Sequence, residues 1–432
     1  MLADTTLAIS PDLEQKKQTY LLPMLVMGLI YFLMGYITWT NGPLIPYLKI
    51  VCHLETDVQA FFVTSAFYFS FFFMPIPSAW VLKKSGFRNG MIVALFIIAA
   101  GSILFIPAAD TRTYGLFLAA LFMQGSGLAL LQTAVNPYVS ILGPIQSAAR
   151  RISIVGIANK SAGIIAPLLV GGFILKGASD LEKQLAGTLK PGQKDLLLAE
   201  MAHRVQVPYI ALAIIVLVVA AVIYFSKLPE IAAESGENPN SSKERSLLGT
   251  PHLMLGVLAI VFYVGAEVIA GDGIGQYGKN IGISLNDARH FTSYTMAAML
   301  LGYLVGIIAI PRFLKQEDAL KYSAITGIVF CLCVFFTKGY TSVFFIALLG
   351  LANALMWPSI FPLAIMGLGN KTKMASALLI MGIGPGGGLI PLLYAFIGGQ
   401  TEPQRGFLVI IGCYLYILFY ALRGHKIKVK PQ

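Results

Sequence analysis

Residues 127–144 read GLALLQTAVNPYVSILGP, an apolar run with Gln132, Thr133, Asn136 and Pro137 near its middle. Gln132 and Asn136 are four apart, so a helix puts them on one face. Leu128 and Gly125 extend that face with a smooth surface. An amide offers donors and an acceptor together, which suits a ligand rich in hydroxyls, such as a sugar. Pro137 frees a carbonyl one turn earlier, near Thr133, for a ligand or water. Polar side chains in apolar helices also serve as bonds between helices. Two amides on one face favour a cavity lining, because polar groups in such segments turn to the interior.

Three charges sit in other apolar runs: Lys160, Glu267 and Asp272. Each costs at least a few kcal/mol in a lipid-spanning segment. The structural reading is an ion pair, Lys160 to Glu267. The functional reading is a cation-linked switch, with Na+ or H+ at Glu267 and Asp272 and Lys160 as the competitor. Glu267 and Asp272 are five apart, about 140° round an ideal helix. They share a site only if Gly271 and Gly273, in AGDGIG, break the helix there. Hard cations take oxygen ligands, so a candidate Na+ site is these two carboxylates. The candidate substrate-binding residues combine polar groups with aromatic faces: Trp39, Asn41, Gln132, Asn136, Asn159, Gln276, Asn353 and Trp357.

Those residues must be positioned by membrane helices. The chain has 432 residues, 57% hydrophobic and only 12% charged, about half the charge of a soluble domain. A bilayer crossing needs about 20 mostly apolar residues. Twelve such segments fall at 21–48, 58–82, 90–108, 114–142, 152–175, 205–226, 252–278, 290–311, 322–337, 340–368, 374–398 and 406–422. They are continuously apolar rather than alternating, which excludes a transmembrane β-barrel. The polar segment 227–251 has the Pro, Ser, Asn, Glu and Lys of a flexible linker. It divides the chain into a six-helix half, 1–226, and a second, 252–432. The halves repeat: Gly35, Tyr47 and Lys49 recur at equal spacing as Gly265, Tyr277 and Lys279. Gln132 precedes Pro137 by five, as Trp357 precedes Pro362. Ala166-Pro-Leu-Leu answers Ile390-Pro-Leu-Leu. Two six-helix halves around a central cavity are the major facilitator architecture, with substrate bound near the midplane.

A net charge of +11 raises nucleic acid as a partner, and its distribution answers otherwise. Most of the basic residues fall at connections on one side, including Lys83, Lys84, Arg88, Arg150, Arg151, Lys315 and Lys321. That bias places both termini in the cytoplasm and makes the lipid bilayer the partner. No signal peptide precedes the first span. Cys52, Cys331, Cys333 and Cys413 read as packing residues. The five histidines have no metal spacing. Gly384-Pro-Gly-Gly-Gly388 follows no strand, so it is no nucleotide loop; it suits close helix packing or bending. No nucleophile–base pair appears, so no enzyme is expected.

The sequence also resembles the fucose–galactose–glucose–proton symporter family of the major facilitator superfamily, nearest its bacterial glucose/galactose branch. The resemblance rests on Tyr31-Phe-Leu-Met-Gly35, Asn41 and Pro46; Ser65-Ala-Phe-Tyr-Phe69; Gln132-Thr-Ala-Val-Asn-Pro137; Arg151 to Lys160; Phe262-Tyr-Val-Gly-Ala266; and Gly382 to Gly388. It implies a monomeric, multi-pass transporter of the bacterial inner membrane that imports a hexose, glucose or galactose, by alternating access with cation symport. Fucose, an amino sugar or a cell-wall sugar fragment is an alternative substrate; a non-transporting sugar sensor is an alternative role. The fucose branch has carboxylates at the positions of Gly42 and Gln132. Both are missing here, so that branch's coupling scheme does not transfer to those positions.

Overall fold

The computed structural model describes residues 11–141, 148–187, 191–226, 249–310, 313–366, 368, 372–399 and 402–427. Regular structure among them is helical. The first six crossings are built from α1 (Pro11–Trp39) with α2 (Asn41–Val51), α3 (Asp57–Phe73), α4 (Pro75–Thr111), α5 (Tyr114–Ile141), α6 (Ala148–Ala166) and α7 (Gln206–Phe225). The second six are α8 (Pro251–Gly271) with α9 (Gly273–Asn280), α10 (Phe291–Ala309), α11 (Gln316–Phe336), α12 (Gly339–Asn353) with α13 (Met356–Ile365), α14 (Thr372–Met381) with α15 (Ile383–Gly398), and α16 (Phe407–Leu422). Eleven segments are long and apolar enough to cross a membrane, and Asp57–Phe73 is a shorter apolar twelfth. The predicted all-α architecture, with twelve apolar helices among the described residues, is therefore what forms. Most of the linker, 227–248, lies outside the described residues.

Local sequence sets the breaks. Thr56 and Gln59 form a reciprocal cap that starts α3, satisfying two of the orphan donors there. Gly86, at φ 74° and ψ 174°, turns the chain inside α4, a backbone that only glycine adopts without strain. The first residues of α4 thus finish the second crossing, and the rest is the third. The long connection 176–204 is partly helical, with Ala178–Ala186 and Pro191–His203.

Large apolar side chains such as Phe225, Phe336 and Phe396 lie about four-fifths exposed. That outward apolar surface suits lipid, not water. The halves meet where α3 packs on α15, α6 on α10 and α2 on α9. The glycine run makes the first seam. A Cβ at Gly384 would lie 2.8 Å from the Phe72 backbone nitrogen, and one at Gly387 2.3 Å from the Tyr68 ring. Ser65 donates across the seam to the Gly388 carbonyl at 2.7 Å. The run brings two helix backbones together, as its composition predicts.

Candidate functional site

Lys160 on α6 and Glu267 on α8 pair across the halves, Nζ to Oε1 at 3.0 Å. They are 8% and 9% exposed, so each depends on the other to offset its desolvation. Aromatic rings frame the pair. Lys160 Nζ lies 5.1 Å from the centroid of Trp39 and 5.9 Å from that of Tyr303, within cation–π range. The Tyr263 phenol lies beside Glu267. Trp357 stands 6.4 Å from Tyr263 and 5.7 Å from Phe361 between ring centroids. Trp357 is half-buried, whereas Trp39 is sealed beneath Met296 and Met299.

A second cluster joins α1, α5 and α6. The Tyr31 hydroxyl donates to Asn136 Oδ1, and Asn159 Nδ2 donates to the Tyr31 carbonyl at 3.1 Å. The helices meet closely because Gly35 has no side chain: a Cβ there would lie 2.1 Å from the Asn159 carbonyl oxygen. Thr133 returns its hydroxyl to its own helix, at 2.8 Å from the Ala129 carbonyl. Gln132 and Asn136 are both half-buried on α5. Two amides and a phenol thus line a polar patch in the first half.

Asp272 is not a member of the Lys160–Glu267 ion pair. The expected break at AGDGIG does not open. Asp272 keeps right-handed helical angles, and its N–H reaches the Val268 carbonyl at 2.7 Å. The helical path runs from α8 into α9, because the flanking glycines permit a break without requiring one. Glu267 pairs with Lys160, while Asp272 lies against Gly42 and Thr292; the two carboxylates remain near enough to interact electrostatically. Asp272 is fully buried, and neither carboxylate oxygen has a hydrogen-bond partner. A Cβ at Gly42 would lie 3.4 Å from Asp272 Oδ1 and 2.5 Å from Thr292 Oγ1. Gly42, Thr292 and Asp272 therefore share one small space.

Three further predicted binding residues are buried. Gln276 bonds Asp57 Oδ1 at 3.1 Å and Asn280 Oδ1 at 2.8 Å, nearly 1% exposed. Asn353 accepts the Tyr414 hydroxyl at 2.8 Å within the second half. Asn41 is 1% exposed, with its Nδ2 unpartnered. Tyr31, Tyr263 and Tyr303 join the site; the first two lie in stretches that carry the family resemblance, yet none of the three stands out as a binding residue. With 19 tyrosines in the chain, a tyrosine in an apolar run is no signal by itself.

The Major Facilitator Superfamily signature matches residues 27–391. The chain is 34% identical to the glucose/galactose transporter of Brucella abortus biovar 1 (strain 9-941) over 403 residues, 93% of both chains. It is 30% identical to the L-fucose-proton symporter of Escherichia coli (strain K12) over 421 residues, 96% of this chain and 95% of that one. The crystal structure of the transporter FucP in the outward conformation superposes with a TM-score of 0.71 at 28% identity, over 93% of this chain and 98% of that one. Eleven apolar helices long enough to cross a membrane and a shorter twelfth among the described residues, and a family match over most of the length, agree: this chain belongs to the Major Facilitator Superfamily.

Proposed function

We propose that this protein is a secondary transporter that imports a hexose, glucose or galactose, by alternating access. The observation that carries the reading is the ring-framed Lys160–Glu267 pair between the halves. Rings cover the C–H faces of a pyranose, and the charged pair and amides meet its hydroxyls. The named relatives at this level of identity transport glucose and galactose, or fucose with a proton. Transport by a multi-pass membrane protein, not catalysis, follows from the same family.

Import is driven by a cation, and Asp272 is its carrier. Asp272 and the Thr292 hydroxyl offer three oxygens around one space. A hard metal ion takes about six, whereas a proton needs one. The donor set therefore suits H+ better than Na+. The carboxylate that the fucose branch holds at the position of Gly42 is supplied here from the facing half. Lys160 and Glu267 are then a fixed pair that couples the halves. Lys83, Lys84 and Arg88 mark the cytoplasmic ends, with both termini on that side of the bacterial inner membrane. A monomer suffices, because the site lies within one chain.

Uptake of labelled glucose into proteoliposomes tests this, with proton and sodium gradients imposed separately. Accumulation under the proton gradient alone is expected. Accumulation under sodium alone returns the ion to an oxygen cage that Asp272 does not build. Equilibration without accumulation under either makes the protein a uniporter. Binding without passage makes it a sensor, and competition by fucose or an amino sugar over glucose replaces the substrate.

A further inference from the structure

Asp57 is the first residue of α3, a position where a carboxylate is ordinarily solvated. It is instead 4% exposed, and its carboxylate is fully engaged. Lys49 pairs with Oδ1. Gln276 Nε2 donates to the same oxygen at 3.1 Å, and Asn280 Nδ2 donates to Oδ2. Gln276 also bonds Asn280 Oδ1 at 2.8 Å. Lys49 and Asp57 belong to the first half; both amides stand on α9 of the second. One carboxylate thus ties the halves together at the end of the second crossing opposite Lys83.

The internal repeat supplies a control. The offset that aligns Lys49 with Lys279 aligns Asp57 with Asp287. Asp287 is exposed and accepts bonds from Ser284, at 2.9 Å, and Tyr340, at 3.1 Å, both of its own half. The repeated fold therefore does not require a buried carboxylate here. Its crossing bonds are particular to Asp57.

We propose that Asp57 is a positioning residue of the transport cycle: its bonds to Gln276 and Asn280 latch the outer ends of the halves. The proposal rests on the transporter reading and its orientation. The chemistry fits a latch that reopens. Bonds to an ionised acceptor are stronger than neutral ones, so the closed state is held. When the halves part, Lys49 stays with Asp57, so no buried charge is left uncompensated. The partners that leave are neutral amides, which water accepts readily.

The test uses the full chain in vesicles with Cys52, Cys331, Cys333 and Cys413 replaced by serine or alanine. Ser65→Cys reports on the seam about 12 Å along α3 from Asp57, at 1.5 Å per residue. Gln132→Cys, on α5 beyond the midpoint toward the cytoplasmic end, reports from the other side. Adding Gln276→Ala and Asn280→Ala should raise external maleimide labelling at position 65 about tenfold, the scale of losing bonds to a charged group. Labelling at position 132 from the cytoplasmic side should fall. Asn280→Gln, which keeps the amide, should restore part of the closed state. Unchanged rates at both positions, or a rise at both as in unfolding, would overturn the latch. Failed hexose uptake by the protein with its native Gln132, Gln276 and Asn280, with the opposite shifts intact in the variants, would refute the substrate and leave the latch standing.

Discussion

Gly42 and Asp272 are equivalent positions of the internal repeat, and they lie against one another. The offset that pairs Gly35 with Gly265 pairs these two, and a Cβ at Gly42 would lie 3.3 Å from the Asp272 Cα. Two equivalent residues that touch must straddle the axis relating the halves. A carboxylate at either position would occupy the same space, and the chain supplies one only from the second half. Gly42 is the concession: with Thr292 Oγ1 at 2.5 Å from its Cβ position, no side chain fits opposite Asp272.

Asp272→Asn should abolish concentrative uptake while leaving sugar exchange. Asparagine has the shape and neutrality of the protonated carboxyl, so the variant should still fold, with a change of at most about 1–3 kcal/mol for burying its unpartnered N–H group. Accumulation and counterflow assays on one preparation separate the two effects. Undiminished accumulation in this variant would move coupling off Asp272.

Glu267→Gln should behave differently, because it leaves Lys160 buried without its counter-charge. Removing one member of a buried pair costs about 3–5 kcal/mol. Thermal unfolding in detergent should show a large fall for the single variant. Lys160→Met with Glu267→Leu should recover most of it, since apolar replacement of both members is tolerated. A double variant no more stable than the single would show that the pair is held by more than its charges.

Gly387→Ala should cripple transport, because its Cβ would meet the Tyr68 ring at 2.3 Å and hold α3 away from α15. Overpacking of this kind costs about 1–3 kcal/mol, here set against one conformation of the cycle. Turnover should drop at least about tenfold with less effect on sugar binding. Normal turnover would mean that this seam does not close during transport.

Trp357 and Trp39 should separate in fluorescence. Trp357 is half-buried beside Tyr263, and Trp39 is 3% exposed under methionines. Sugar-induced quenching should persist in Trp39→Phe and vanish in Trp357→Phe. The reverse result would place the pyranose on the Trp39 side of the charged pair.

Asn136→Leu should raise the apparent KM for sugar about tenfold, the scale of one lost hydrogen bond with its partner left unpaired. It also strands the Tyr31 hydroxyl, which now donates to Asn136. Tyr31→Phe in the same background should relieve that stranding without restoring KM.

The sequence by itself determined the crossings. Apolar run length sets a bilayer helix, and it does not depend on which neighbour each helix meets. It also marked Lys160, Glu267 and Asp272, because a charge in an apolar run is conspicuous at any fold. Tertiary structure alone decided how they divide. Spacing along α8 could not reveal that Lys160 reaches Glu267 and misses Asp272, since that choice depends on where α6 crosses. Gln276 looked like a ligand residue in sequence, yet it is committed to Asp57, a residue 219 positions away. Asp57 carries no mark in the sequence at all, and its burial comes from the second half that closes over it. Burial of a polar group is a property of two surfaces, and a chain read in order presents them one at a time.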